Sequence, residues 1–80
     1  MTIYELIESI NDAYNIIFSL FDCNREDLVD VDTDDGAKNY LTASELLESE
    51  FVDYEIGSMD MWIDNGQIYI EINIEIDEED

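Results

Sequence analysis

The sequence predicts an α+β fold, with two helices packed on one face of a three-stranded antiparallel β-meander. Two capping boxes, an apolar repeat of helical spacing near the N-terminus and alternating segments around glycine turns near the C-terminus predict these elements. Highly charged chains are disordered when Leu, Ile, Val and Phe together fall below roughly 20% of the residues. These four types supply 24 of the 80 residues, so we expect a packed core.

The first helix is predicted over residues 3–21. Thr2 and Glu5 form a capping box, in which each residue satisfies a backbone N–H group of the other. The apolar residues that follow recur at helical spacing: Ile3, Leu6, Ile7, Ile10, Tyr14, Ile17 and Phe21. Ile16 and Phe18 widen this apolar side, so we expect the helix to contact more than one element.

Residues 22–40 give no clear pattern, and a second helix follows them. Leu28, Val29 and Val31 fit either a short strand or an apolar loop. Thr42 and Glu45 form a second capping box, which predicts a helix that ends near Glu50. This helix begins either at Thr42 or as early as Asp35.

Residues 51–80 predict the meander, with strands at 52–56, 59–64 and 67–76. Asn65-Gly66 favours a two-residue type I′ turn, and Gly57-Ser58 closes a second tight turn that adds the strand at 52–56. The register around the first turn places three pairs on one face: Met59 with Ile72, Met61 with Ile70, and Ile63 with Ile68. We expect the helices to cover this apolar face.

Chain length and the absence of targeting features predict one cytoplasmic domain. A chain of 80 residues makes a single small domain, which we place at 1–76, followed by an acidic, solvated tail at 77–80. Cys23 is the only cysteine, so an internal disulfide is excluded and a reducing compartment fits. The N-terminus has no basic leader and no run of about 18 apolar residues occurs, so we expect no signal peptide and no membrane span. Monomer and homodimer both remain open.

Acidic charge is the strongest functional feature of the chain. Asp and Glu number 23 against 2 Lys and Arg, and the formal net charge is −21. This field repels nucleic acid and anionic lipid, and it attracts basic partners. Solubility requires a net charge of only about 2–8 in a small domain, so the excess favours a binding role. A generally acidified proteome, as in salt-loving organisms, is the alternative explanation.

Two groups of residues form the predicted partner-binding site. The sheet-face group consists of Asp53, Glu55, Asp60, Trp62, Tyr69, Glu71 and Glu75, and the loop group of Asp30, Asp32, Asp34 and Asp35. Side chains two residues apart on a strand are about 6.6–6.8 Å apart on one face, similar to the step between phosphates of an extended nucleic-acid strand. Such carboxylates suit the phosphate sites of a basic protein, with Trp62 as an anchor. Alternatively, they only keep the outer sheet face soluble.

No enzyme activity, cofactor or metal site is predicted. The chain has no histidine, so Cys23 lacks an imidazole base, and no glycine-rich phosphate loop, zinc spacing or dinucleotide motif occurs. The run from Asp30 to Gly36 is similar to a calcium loop, but an EF-hand needs glycine at position 6 and glutamate at position 12. Counted from Asp30, glycine falls at position 7 and position 12 is Leu41. A calcium buffer is therefore a minor alternative.

A small, intensely acidic, cysteine-poor α+β domain resembles the DNA-mimic inhibitors of phages and mobile elements, which include anti-CRISPR proteins. The resemblance covers the whole chain in size, charge and build, and it rests on composition without a matched motif. It implies a stoichiometric inhibitor that blocks the basic nucleic-acid-binding surface of a host defence complex, preferably a CRISPR-Cas effector. Two alternatives are an immunity or antitoxin protein that neutralises a nuclease toxin, and a non-inhibitory acidic adaptor, which need not displace DNA.

Repulsion between the carboxylates predicts that salt stabilises the protein. Two unit charges about 7 Å apart in water repel by roughly 0.6 kcal/mol, and added salt screens this repulsion. Raising NaCl from about 10 mM to about 300 mM should increase the thermal unfolding midpoint by roughly 4 °C or more, measured by circular dichroism. An unchanged or lower midpoint over this range would contradict strong self-repulsion in the folded chain.

Overall fold

Residues 1–76, which a computed structural model of the chain describes, form two α-helices, six β-strands and one 3-10 turn. The predicted tail at 77–80 lies outside the described residues. In chain order the elements are α1 (Ile3–Ser9), the 3-10 turn (Ala13–Asn15), β1 (Ile16–Asp22), β2 (Asp27–Leu28), β3 (Val31–Thr33), β4 (Gly36–Lys38), α2 (Ala43–Leu47), β5 (Ser58–Asp64) and β6 (Gln67–Ile74). This content confirms the predicted α+β class. Neither helix of the described chain has the length and apolar character required to cross a membrane.

The strands form one mixed sheet of four strands and one separate hairpin. The mixed sheet has the order β2-β1-β6-β5, and the hairpin consists of β3 and β4. β1 and β6 pair in parallel, from Ile16 opposite Ile68 to Asp22 opposite Ile74, while β2 and β5 add antiparallel strands at the two edges. The predicted antiparallel meander is therefore wrong in its strand order. It placed 59–64 at the centre, whereas β6 takes an inner position and β5 lies at the edge.

The prediction of one helix over residues 3–21 is wrong beyond residue 9. α1 begins as predicted, because Glu5 N–H donates to Thr2 Oγ1 (3.2 Å) and Thr2 N–H donates to Glu5 Oε1 (2.8 Å). The chain then turns, and residues 16–22 form β1. Branched and aromatic side chains favour a strand, and an inner strand with most of its residues buried reads as a nearly continuous apolar run. Ile16 and Phe18 belong to such a run.

The predicted strand at 52–56 is also wrong, because this segment caps α1 instead of pairing with β5. It forms turns and an isolated bridge. The Val52 carbonyl accepts a hydrogen bond from Tyr4 N–H (2.9 Å). The Tyr54 carbonyl likewise accepts one from Ile3 N–H (3.0 Å). Both donors lie in the first turn of the helix, where no intrahelical acceptor exists, so the segment satisfies groups that would otherwise lack partners.

The β5–β6 hairpin has the predicted turn and register. Asn65 (φ 51°) and Gly66 (φ 79°) both adopt the left-handed conformation that a type I′ turn requires. The pairs Met59–Ile72, Met61–Ile70 and Ile63–Ile68 form as predicted. The expected cover by helices is wrong for the outer strand, since the side chains of β5 are exposed, including Ile63 (68%).

The second capping box also forms, but the helix behind it is short. Glu45 N–H donates to Thr42 Oγ1 (3.2 Å) and Thr42 N–H donates to Glu45 Oε1 (3.0 Å). Of the two predicted starts, Thr42 is correct and Asp35 is wrong, because residues 36–38 belong to β4. α2 ends at Leu47 rather than near Glu50. Ser49 Oγ donates to the Leu46 carbonyl (2.6 Å), and such a side-chain bond competes with continuation of a helix.

The hydrophobic core joins both helices to the two inner strands. Its fully buried side chains include Ile3 of α1, Phe18 of β1, Leu46 of α2 and Ile72 of β6. Val31 of β3 attaches the separate hairpin to this core. β5 contributes no buried residue. It lies outside the core and is held by its pairing with β6.

Two conservative substitutions should separate the buried inner strand from the displayed outer strand. Ile72→Val removes one methylene group from a fully buried side chain and should cost about 0.5–1.5 kcal/mol of unfolding free energy. Ile63→Ala should change it by no more than about 0.5 kcal/mol, because Ile63 is 68% exposed. Urea unfolding followed by circular dichroism measures both values. A cost for Ile63→Ala that equals or exceeds that of Ile72→Val would contradict the exposure of β5.

Candidate partner-binding surface

Three of the predicted loop carboxylates, Asp32, Asp34 and Asp35, lie on the β3–β4 hairpin next to α2, and the fourth, Asp30, directly precedes β3. Two open cavities, of about 460 Å³ and 490 Å³, share Asp32 and Glu48 and separate the hairpin from α2 and the segment after it. The carboxylates that line them, which we name the acidic cleft, are Asp30, Asp32, Asp34, Asp35, Glu45, Glu48 and Glu50. The sequence did not predict the last three as members, because the contact between hairpin and helix is a tertiary one.

Local hydrogen bonds shape the tip of this hairpin. Thr33 Oγ1 donates to the Gly36 carbonyl (2.7 Å) and accepts from Asp35 N–H (3.1 Å). Gly36 has φ 101°, a conformation that side-chain-bearing residues rarely adopt. With the turn closed in this way, Asp34 and Asp35 are exposed at its tip.

Lys38 joins the hairpin to α2 across the acidic cleft. Its Nζ lies 2.8 Å from Glu45 Oε2 and 3.4 Å from Asp35 Oδ2. The hydrogen bond to Glu45 is the main reason that the pKa of Lys38 is raised. In turn, the bond from Lys38 and then that from the Thr42 backbone hold the pKa of Glu45 below its usual range. The remaining carboxylates of the cleft project around this fixed ion pair.

Four residues of the predicted sheet-face group lie on the β5–β6 hairpin and pair across its strands as predicted. Asp60 and Trp62 of β5 lie opposite Glu71 and Tyr69 of β6, respectively. The rings of Trp62 and Tyr69 stack, with centroids 5.6 Å apart and planes inclined by 9°. Trp62 is 39% exposed. Two carboxylates and an exposed aromatic ring therefore share one face of the hairpin.

Asp53, Glu55 and Glu75 do not extend this row, so the predicted continuous array is wrong for them. Asp53 and Glu55 lie in the segment 52–56, which is not a strand, and Glu75 follows the end of β6. Glu55 Oε2 accepts a hydrogen bond from the amino group of Met1 (3.0 Å), which raises the pKa of that amino group. Glu55 and Glu75 line a separate cavity of about 330 Å³.

Three residues that the sequence did not predict as binding residues surround Trp62 and Tyr69. Ile17, Tyr40 and Asp64 join these two aromatic residues around a cavity of about 380 Å³, which we name the aromatic cavity. The Tyr40 and Tyr69 rings meet edge to face, with centroids 6.4 Å apart and an angle of 80°. Ile17 and Tyr40 come from distant parts of the chain, so no local pattern predicts their position.

Asp22 is the one carboxylate of residues 1–76 that is buried, with 1% of its surface exposed. Its Oδ1 accepts hydrogen bonds from Asn24 N–H (2.9 Å) and Ile76 N–H (3.4 Å). Arg25 Nε lies 3.9 Å from its Oδ2. Asp22 therefore joins the loop after β1 to the chain beyond β6, which is a structural role.

The other carboxylates of the described chain lie on the outside, where Glu45 and Glu71 are partly buried and the rest exposed. Within residues 1–76 no three carboxylate or thiol groups come together as ligands for one metal ion. The chemistry that this surface offers is acceptance of hydrogen bonds and ion pairs from cationic groups, and such charge-assisted bonds are among the stronger hydrogen bonds.

Comparison of the chain with protein-family models, with curated proteins and with solved structures finds no match.

The ion pair at Glu45 should make stability depend on pH in a defined direction. Because the pKa of Glu45 is lowered by folding, its contribution is present above its unfolded pKa and is lost as the pH falls through its folded pKa. Glu45→Gln should therefore lower the urea midpoint at pH 7. Its difference from the wild type should shrink below a pH of about 4.

Glu48→Gln is the matched control for this measurement, because it makes the same charge change at the exposed C-terminal end of α2. A carboxylate is unfavourable at that end of a helix dipole, so the control should leave the midpoint at pH 7 unchanged or slightly raised. Equal losses in the two variants at pH 7, or a Glu45→Gln deficit that does not shrink as the pH is lowered, would exclude a specific ion pair.

Proposed function

We propose that the protein is a stoichiometric inhibitor that mimics nucleic acid and blocks the basic nucleic-acid-binding surface of a host defence complex, with a CRISPR-Cas effector as the preferred target. The activity is binding rather than catalysis, and it takes place in the cytoplasm of the host cell without a cofactor. One observation carries the proposal: carboxylates are displayed on ordered elements, concentrated in the acidic cleft and on the β5–β6 hairpin.

Order matters to this proposal because a binding surface that is already in position loses less conformational entropy on association. The turn bonds of Thr33 fix the tip of the hairpin, and the Lys38–Glu45 ion pair joins the hairpin to α2. The carboxylates of the acidic cleft are therefore held by backbone and side-chain contacts, as phosphates are held by a duplex. A flexible acidic segment of the same charge would lack this advantage.

The proposed mechanism is direct competition. Lys and Arg side chains that normally hold phosphates pair with the displayed carboxylates, and the inhibitor and nucleic acid then exclude each other. A formal charge of −21 accelerates association with a basic surface and makes it sensitive to ionic strength. The high charge, small size and α+β class are also what small acidic DNA-mimic inhibitors share, and this likeness supports a defence complex as the target.

Capture followed by elution with DNA tests the mechanism. The immobilised protein is incubated with a lysate of CRISPR-bearing bacteria at about 50 mM NaCl, and a double-stranded DNA oligonucleotide is then added. We expect the captured complex to bind DNA on its own, to be released by the oligonucleotide, and to bind at least about tenfold more weakly near 300 mM NaCl. A partner that stays bound while it also binds DNA would contradict mimicry and indicate an adaptor.

Two variants of equal charge show whether the acidic cleft is the contact surface. The cleft variant replaces the four aspartates Asp30, Asp32, Asp34 and Asp35 by Asn. The control variant removes the same charge from exposed residues elsewhere, namely Glu8, Asp12, Glu26 and Asp27. We expect the cleft variant to weaken binding at least about tenfold and the control less than about threefold. Equal losses would mean that total charge, rather than this surface, determines binding.

A further inference from the structure

We infer that the aromatic cavity is a binding site for an arginine side chain of the basic partner. It has a volume of about 380 Å³ and shares no lining residue with the two cavities of the acidic cleft. Its chemistry also differs, because aromatic rings supply most of its walls and Asp64 supplies a single carboxylate. The inference rests on the proposed function for the source of the arginine, while the chemistry of the site stands on the structure.

Three neighbouring strands form the floor of the cavity. Trp62 of β5 pairs with Tyr69 of β6, and Tyr69 pairs with Ile17 of β1. Side chains that are directly opposite one another across strands lie on the same face of a sheet, so these three residues form one continuous apolar floor. The stacked rings of Trp62 and Tyr69 make its outer half rigid.

Backbone hydrogen bonds to β1 position Tyr40, which forms one wall of the cavity. Leu41 and Phe18 exchange two backbone hydrogen bonds of 2.7 Å each. This pairing holds the preceding residue, Tyr40, beside the sheet, where its ring meets Tyr69 edge to face. Tyr40 remains 50% exposed, so its ring borders the cavity without filling it.

Asp64 provides the negative charge of the site. It is two residues beyond Trp62 on β5, and residues at this separation point to the same face of a strand. It precedes the turn at Asn65-Gly66 and is exposed. β5 is one of the two edge strands of the sheet and its side chains are exposed, so another molecule can reach both Trp62 and Asp64.

Aromatic walls combined with one carboxylate favour a guanidinium over other groups. Ring faces attract cations, and a guanidinium stacks on them while it forms paired hydrogen bonds with a carboxylate. A lysine ammonium is a strongly hydrated point charge that cannot stack in this way. An uncharged apolar side chain would leave Asp64 without a counter-charge, within a field that already favours cations.

The cations of this chain lie elsewhere. Lys38 contacts Asp35 and Glu45, and Arg25 lies beside Asp22. Neither of them lines the aromatic cavity, among the residues that the structure describes. The guanidinium must therefore come from another molecule, and a basic partner is the molecule that a charge of −21 selects.

Trp62 is the only tryptophan, so its fluorescence and its single indole N–H resonance report directly on this site. The test titrates the full chain with N-acetyl-arginine amide at constant ionic strength, near 0.15 M. We expect a saturable change in both signals. The lysine counterpart should bind at least about threefold more weakly, and the citrulline counterpart, which has the same shape without the charge, should give no saturable change.

Matched variants locate the binding. Asp64→Asn removes the carboxylate of the cavity and should weaken arginine binding at least about threefold. Asp27→Asn makes the same charge change at an exposed residue of β2, on the opposite edge of the main sheet, and it should alter binding less than about twofold. Tyr40→Leu removes the exposed ring and should weaken binding about threefold while Trp62 still reports. Equal effects of Asp27→Asn and Asp64→Asn, or an equal response to the arginine and citrulline probes, would overturn the inference.

Failure of this site and failure of nucleic-acid mimicry give different results. If arginine does not bind selectively at Trp62, elution of the partner by DNA is unaffected and only the inference about the aromatic cavity is lost. If DNA fails to elute the partner, the arginine titration still succeeds. In that case the cavity binds an arginine of a basic partner, and the contact surface of that partner is not its nucleic-acid-binding site.

Discussion

β1 and β6 pair in parallel over all 7 residues of β1, and the displayed surfaces are positioned through these two strands. β6 carries β5 through the Asn65-Gly66 turn and so determines where Trp62 lies. β1 carries Leu41 on its other side, through the bonds of Phe18, and so determines where Tyr40 lies. The two sides of the aromatic cavity are thus attached to opposite edges of one strand pair. Most residues of β1 are buried, and Ile70, Ile72 and Ile74 of β6 are buried with them in the core, so the cavity is attached to the core.

The acidic cleft depends on the same core in a different way. Its hairpin belongs to a separate sheet, so the hydrogen bonds of the main sheet do not hold it. Val31 anchors it through apolar burial and Lys38 anchors it through the ion pair with Glu45. The single lysine of the chain therefore lies where it offsets the densest group of carboxylates.

Sequence patterns within a few residues predicted local structure correctly, but they did not predict which distant segments pair. Capping boxes and the Asn65-Gly66 turn depend on residues within a few positions of each other, and all three features form as predicted. Residues 16–22 fit a helix and a buried strand equally well by apolar spacing, and only the partner strand, some fifty residues later, decides between them. The loop carboxylates are close in sequence, and they do lie together. Tyr40 comes to the aromatic cavity through distant pairing, and the sequence did not predict Tyr40 or Asp64 there. Glu55 was predicted in the row of sheet carboxylates but pairs with the amino group of Met1.

In the proposed complex, charge repulsion and partner binding involve the same carboxylates. Folding brings fixed negative charges closer together than they are in an expanded chain, and this opposes the compact state. A molecule that binds only the folded state stabilises it, and a basic partner does so by placing its cations among these charges. In the proposed complex, the repulsion that weakens the isolated fold would therefore be relieved by the partner's cations. Acidic residues that served solubility alone would gain nothing from such density, because a much smaller net charge is sufficient for that purpose.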